Sequence, residues 1–216
     1  YLNENKDKFS YNLKTAVSTG EGRNWTKSAD DGVALTGKLE LMPFGSFKKD
    51  GTHFEGDIAR EETPKVLVSG AFSQNNLSKR TQGQLGNDLF APKTTKAVFL
   101  DAMLKYNGWS LMSSYMSRAT KDPIAFNPDD ITEFNYVPVG SGMDYQLSYV
   151  FPTNYEIIGR FSTQNMHDDI KALTPDSKQY SLGVTKYLWE HAFKLQGEVT
   201  LSDLNYFDGS NKQNWY

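Results

Sequence analysis

The chain has no cysteine, so a disulfide framework and a thiolate metal site are both excluded. Histidine is nearly as scarce. His53, His167 and His191 fall in separate connections without metal-ligand spacing and are read as loop residues. No apolar run approaches the roughly 20 residues that a membrane helix needs. No basic block is present and the net charge is −3, so a nucleic-acid partner gains no support. The opening Tyr1-Leu2-Asn3-Glu4-Asn5-Lys6-Asp7-Lys8 lacks an initiator Met and a signal-peptide pattern. It is expected of a chain whose signal was removed, or of a piece of a longer protein.

Catalytic motifs are missing as well. Gly20-Glu21-Gly22 and Gly83-Gln84-Leu85-Gly86-Asn87-Asp88 lack the strand–turn–helix context of a nucleotide site, and turn formation explains both. No Ser–His–Asp set has a reasonable arrangement. The pairs Asp129-Asp130 and Asp168-Asp169 sit in long loops, where solvation accounts for them better than a divalent cation does. The chain is therefore expected to have no catalytic residue, no cofactor and no metal.

What is present is alternation and aromatic side chains. Hydrophobic residues make up only 38% of the chain, yet it holds 12 Tyr, 13 Phe and 4 Trp. Period-2 patterning marks strands over Phe9–Val17, Val33–Leu41, Val66–Phe72, Val98–Tyr106, Trp109–Met116, Met143–Phe151, Tyr155–Ser162, Gln179–Thr185 and Phe193–Leu201. Asn214-Trp215 begins a tenth. Asn107-Gly108 is a strong hairpin signal, because a type I′ turn needs positive φ at both central residues.

The connections alternate too. Long polar loops are expected after Val17, Phe72, Met116, Phe161 and Leu201, and short turns after Tyr106, Phe151 and Tyr187. The stretch 45–63 is longer than a tight turn. Short turns on one rim and long loops on the other are the pattern of an outer-membrane barrel. Tyr106, Trp109, Phe151, Tyr155, Tyr187, Trp189 and Phe193 gather at the short-turn rim and suit an interfacial belt. Plugging of the end of a soluble barrel or sandwich is the alternative for these residues.

The polar face carries the candidate chemistry, which is electrostatic. Lys14, Lys38, Lys65, Lys105, Arg118, Arg160 and Lys194 point inward, against Glu40, Asp101, Asp144, Glu156 and Glu198. This near balance predicts a pore lining with weak ion selectivity, since selectivity comes from rings of like charge.

Several short stretches, in order and spacing, resemble the phosphate-selective porin O and P family of Gram-negative outer membranes. They are Thr19-Gly20-Glu21-Gly22-Arg23-Asn24, Met42-Pro43-Phe44-Gly45, Arg60-Glu61-Glu62-Thr63-Pro64-Lys65, Gly83-Gln84-Leu85-Gly86-Asn87-Asp88, Gly108-Trp109-Ser110-Leu111-Met112-Ser113 and Lys178-Gln179-Tyr180-Ser181-Leu182-Gly183. The resemblance covers nearly the whole chain and matches the family's C-terminal portion. It implies a sixteen-stranded barrel, usually trimeric, that passes anions or small solutes. The family's arginine ladder is not evident, with Arg118 and Arg160 the only inward arginines.

The reading is an all-β chain, residues 1–216 forming one partial domain. It is an antiparallel up-and-down transmembrane β-barrel, with about ten strands here of sixteen. Expected partners are outer-membrane lipid, small solutes or anions, and further copies in a homo-trimer or a larger envelope complex. The expected function is passive diffusion in the bacterial outer membrane. The alternatives are a structural or partner-binding barrel, and a soluble β-sandwich binding module.

Overall fold

The computed structural model describes residues 2–4, 8–20 and 32–216. The Glu21 to Asn24 part of the first family-like stretch lies outside the described residues. Eleven strands form one antiparallel sheet in which every neighbour follows in chain order: β1 (Leu2–Glu4), β2 (Ser10–Ser18), β3 (Ala34–Met42), β4 (Lys65–Arg80), β5 (Asp88–Tyr106), β6 (Trp109–Thr120), β9 (Gly140–Val150), β10 (Tyr155–Met166), β11 (Asp176–Trp189), β12 (Phe193–Asn205) and β13 (Asn211–Trp215). A small hairpin, β7 (Ile124–Phe126) with β8 (Phe134–Tyr136), stands apart from it. Among the described residues β2 pairs with β1 and β3, and β12 with β11 and β13, so the sheet is open.

The Asn107-Gly108 turn forms with φ of 46° and 90°, as the type I′ geometry requires. Six expected strands, β4, β5, β6, β10, β11 and β12, are longer than the alternation indicates. β4 and β5 run on to Arg80 and back to Asp88, around a tight turn containing Gly83 and Gly86. β10 continues to Met166 and β12 to Asn205. Most of the expected long loop after Phe72 is therefore sheet. Its residues are polar on both faces, which erases the period-2 signal while the backbone ladder continues.

The registers sort the residues into rows, because directly opposed residues share a face. Leu104, Leu111, Leu147, Gly159, Leu182 and Val199 form one continuous row. Asn12, Glu40, Ser69, Asp101, Ser114, Asp144, Ser162, Gln179, Ser202 and Asn214 form another on the opposite face. Burial runs against the usual order. Leu147, Leu182 and Val199 are 49%, 64% and 55% exposed, while Ser69, Ser110, Ser148, Glu156 and Lys105 are buried. The apolar face looks outward and the polar face inward.

Two apolar clusters sit away from the outward face. At the long-loop end Leu89, Ala125, Val137, Val139, Met166 and Ile170 bring the hairpin of β7 and β8, β5 and the 167–175 connection into one small core. At the short-turn end Phe47 packs with Met42, Leu67 and Met103 on the inner face.

Candidate functional site: the inner face and the strap across it

The inward positions expected from the alternation all fall on the polar face, but their surroundings differ. Glu40 accepts from Lys14 at 3.0 Å, Lys38 at 2.9 Å and Asn12 at 3.0 Å. Arg160 donates to Asp144 at 2.7 Å across two strands, and Ser69 donates to Asp101 at 2.8 Å. Lys65 donates to the Phe44 carbonyl at 2.7 Å. Thr200 donates to Glu198 at 2.9 Å, and the Lys194 ammonium lies 6.0 Å from the Tyr187 ring centroid. Arg118 has no ion pair among the described residues. It lines a concavity of about 510 Å³ with Phe99, Asp101, Asp144, Gln164 and Gln179.

Lys105 and Glu156 have a different setting. Both are 1% exposed, sealed beneath the 43–64 connection, which folds back over the inner face as a strap. The chain first turns at Met42, whose carbonyl accepts from the Gly45 amide at 3.1 Å. A short 3-10 stretch, Lys48–His53, follows, with Lys49 and Asp50 in the left-handed region. The Lys105 ammonium then donates to three strap carbonyls, Gly51 at 2.8 Å, Phe54 at 2.7 Å and Gly56 at 3.0 Å. Ser110 donates to the Glu55 carbonyl at 2.5 Å.

The strap's second half is tied by acids. Asp57 accepts from the Gly108 amide at 2.8 Å and the Glu61 amide at 3.1 Å. Glu61 accepts from the Lys48 amide at 2.5 Å. Arg60 donates to the Val150 and Asn107 carbonyls at 2.6 and 3.0 Å. Across the face, Phe54 stacks on His191 with centroids 3.8 Å apart, and Lys49 pairs with Glu190. Gly56 leaves room for Glu156 and Tyr187: a Cβ there would lie 2.6 Å from Glu156 Oε1 and 2.8 Å from the Tyr187 hydroxyl and would push those side-chain ends aside. That hydroxyl donates to Glu156 Oε2 at 2.5 Å.

These contacts also fix the shape of the sheet. Phe47 rests on β3, β4 and β5, yet Lys49, two residues on, reaches the turn after β11. In a flat sheet β5 and β11 would lie roughly 19 Å apart, at about 4.8 Å per strand step. The sheet therefore curls, with the polar face concave. His191 in that turn is held below the usual histidine value by burial first, then by Lys105 and Lys194, with Glu190 opposing.

The strap's packing is invisible to local patterning, because most of its ties to the sheet join residues about 50 or more positions apart. The density of Glu55, Asp57, Glu61 and Glu62 opposite an inward Lys105 is the one signal available in the sequence. Among the described residues no group of His, Asp and Glu is arranged to hold a metal ion. Comparisons with protein-family models, curated proteins and solved structures give no match.

Proposed function

We propose that the chain is the wall of an outer-membrane β-barrel that lets small solutes or anions diffuse passively, related to the phosphate-selective porin O and P family. One observation carries this reading: the sheet exposes its apolar rows and buries its polar ones. In water such a sheet would expose a broad hydrophobic surface, whereas lipid provides the solvent that the outward face requires.

The dimensions support it. On β5 the outward residues from Tyr106 to Val98 are apolar, and Lys96 ends the run. Nine residues at about 3.3 Å each, tilted by roughly 40°, give a band about 23 Å tall, close to the roughly 25 Å of a membrane barrel. Aromatic side chains stand at both edges. Tyr106 opposes Trp109 and Trp109 opposes Tyr149 near the short turns, while Tyr145, Phe161 and Tyr180 oppose one another higher up. Outer-membrane lipid is the partner this face implies, and assembly as a homo-trimer or in a larger envelope complex belongs to the same proposal.

The strap favours a second reading, a structural or partner-binding barrel, because it covers part of the inner face. Conductance separates the two. The full-length protein in a planar bilayer should give stable unitary steps with a reversal potential near zero in a salt gradient, since the inward charges are largely paired. Absence of steps in protein shown to be folded would favour the structural barrel. A water-soluble monomer with Leu147 and Leu182 exposed would overturn the membrane assignment.

A further inference from the structure

The 43–64 strap has two unlike attachments. Near β3 to β5 it is held by a dry cluster, with Phe47 only 7% exposed among Met42, Leu67 and Met103. Over β5 and β6 the hold is polar, through Lys105, Ser110 and Asp57, and the strap's Gly56 lies against the Tyr187–Glu156 hydrogen bond that joins β10 and β11. In this second region Glu156 Oε1, Thr185 Oγ1, Ser148 Oγ and Glu61 Oε2 are buried without a hydrogen-bond partner. Buried polar atoms of this kind are normally satisfied by water. The strap is thus anchored by packing at one end and clasped by hydrogen bonds over a polar seam at the other.

We infer that this strap is the resident constriction at the short-turn mouth of the channel, and that Lys105 is the positioning residue that sets its aperture. The inference rests on the channel reading. A single ammonium holds three consecutive-turn carbonyls at 2.7 to 3.0 Å, which no neutral side chain of that length reproduces. The strap also carries His53 and Glu55, both exposed. On this inference their side chains border the mouth. Sequence alternation alone assigns Lys105 to the charged lining of an open pore. In the structure it is spent on the strap, so its removal should change the size limit more than the ion preference.

The test uses the full-length protein in planar bilayers and in solute-loaded liposomes. Lys105→Met should raise unitary conductance by about twofold or more, add open-channel noise, and admit larger neutral sugars in swelling assays, with the reversal potential little changed. These 216 residues hold no cysteine, so thiols introduced here, in a background with any cysteine elsewhere replaced, give a second, independent handle. Cysteines placed at Lys49 and Glu190, an ion pair in the native protein, and joined by a bis-maleimide reagent through two thioether bonds should tie the strap to the turn after β11 and return Lys105→Met to the parental conductance. A third variant leaves the clasp alone: Glu55→Cys labelled with a bulky thiol reagent should lower conductance.

A folded, membrane-inserted Lys105→Met with parental conductance and size limit would overturn the inference, as would a labelled Glu55→Cys channel that conducts normally. If Lys105→Met fails to fold, the Glu55→Cys result decides alone. A parent protein that inserts and never conducts would instead remove the channel reading on which the inference stands.

Discussion

The two faces of this sheet are built from alternate residues of the same strands, and they invert the usual relation between polarity and burial. On β11 the outward Tyr180, Leu182 and Val184 are about half exposed, while the inward Thr185 and Tyr187 are buried. The difference shows that burial here does not report hydrophobicity. The inner face is covered because it is concave and crossed by the strap, and its polar atoms bond to one another. The outer face is bare because nothing among the described residues covers it. A sheet of this kind is stable only if its surroundings take over the role of the core, which in lipid they do.

Substitutions at neighbouring positions separate the faces. Leu182→Arg lies in the outward row, between Gly159 and Val199. It should destabilise the folded protein in lipid by about 2–4 kcal/mol, the depth-dependent cost of Arg near the midplane of a membrane barrel. Denaturant titration of the protein in vesicles measures it. An unfolding free energy unchanged by Leu182→Arg would place that side chain in water.

A smaller effect is expected inside. The Asp144 to Arg160 pair is 29% and 49% exposed, so its contribution to stability should be only about 0.2–1 kcal/mol. Asp144→Asn leaves Arg160 uncompensated and removes a negative charge from the concavity that Arg118 lines. The reversal potential in a salt gradient should move toward anions while the unfolding midpoint barely shifts. No change in either quantity would mean that this part of the face does not line a conducting path.

Gln179→Arg sharpens the contrast further. Gln179 lies next to Tyr180 in sequence but faces inward, between Ser162 and Ser202. Its stability cost should stay within about 0.5 kcal/mol, as for an ordinary wet position. Anion preference should rise. A cost as large as that of Leu182→Arg would show that both faces meet the same solvent.

Which residues share a face was legible in the sequence, and the reason is physical. Within the apolar band every second residue must be apolar, so Leu35, Leu100, Leu147 and Val199 announce their side by period alone. Beyond the band that requirement ends. The outer part of β5, from Asp88 to Lys96, and the hairpin of β7 and β8 therefore look like loop in sequence. The strap was illegible for another reason. Its fold depends on Lys105, Ser110 and Gly108 meeting residues about 50 positions earlier, and no local pattern encodes such a meeting.

The smallest expected effect concerns pH and tests how the strap meets the inner face. His191 stacks on Phe54 and faces Lys105 and Lys194, with Glu190 beside it paired to Lys49. Burial and the two lysines hold its folded-state value below the ordinary histidine value of about 6.5. The unfolded or released form therefore takes up a proton before the folded form does. The stacking contribution is whole above about pH 6.5 and declines as the pH falls below that toward the lower folded value. Acidification should thus loosen the strap at the turn after β11 while the dry cluster around Phe47 stays intact. Limited proteolysis at Lys48 and Lys49 should accelerate modestly between pH 7.5 and pH 5, at constant ionic strength, in the full-length protein. His191→Phe keeps an aromatic partner for Phe54 and removes the titration, so its cleavage rate should be flat across the same range apart from the protease's own dependence. Equal pH profiles for the two proteins would show that the strap's attachment does not depend on this histidine, and would leave the hold to Lys105 and Asp57 alone.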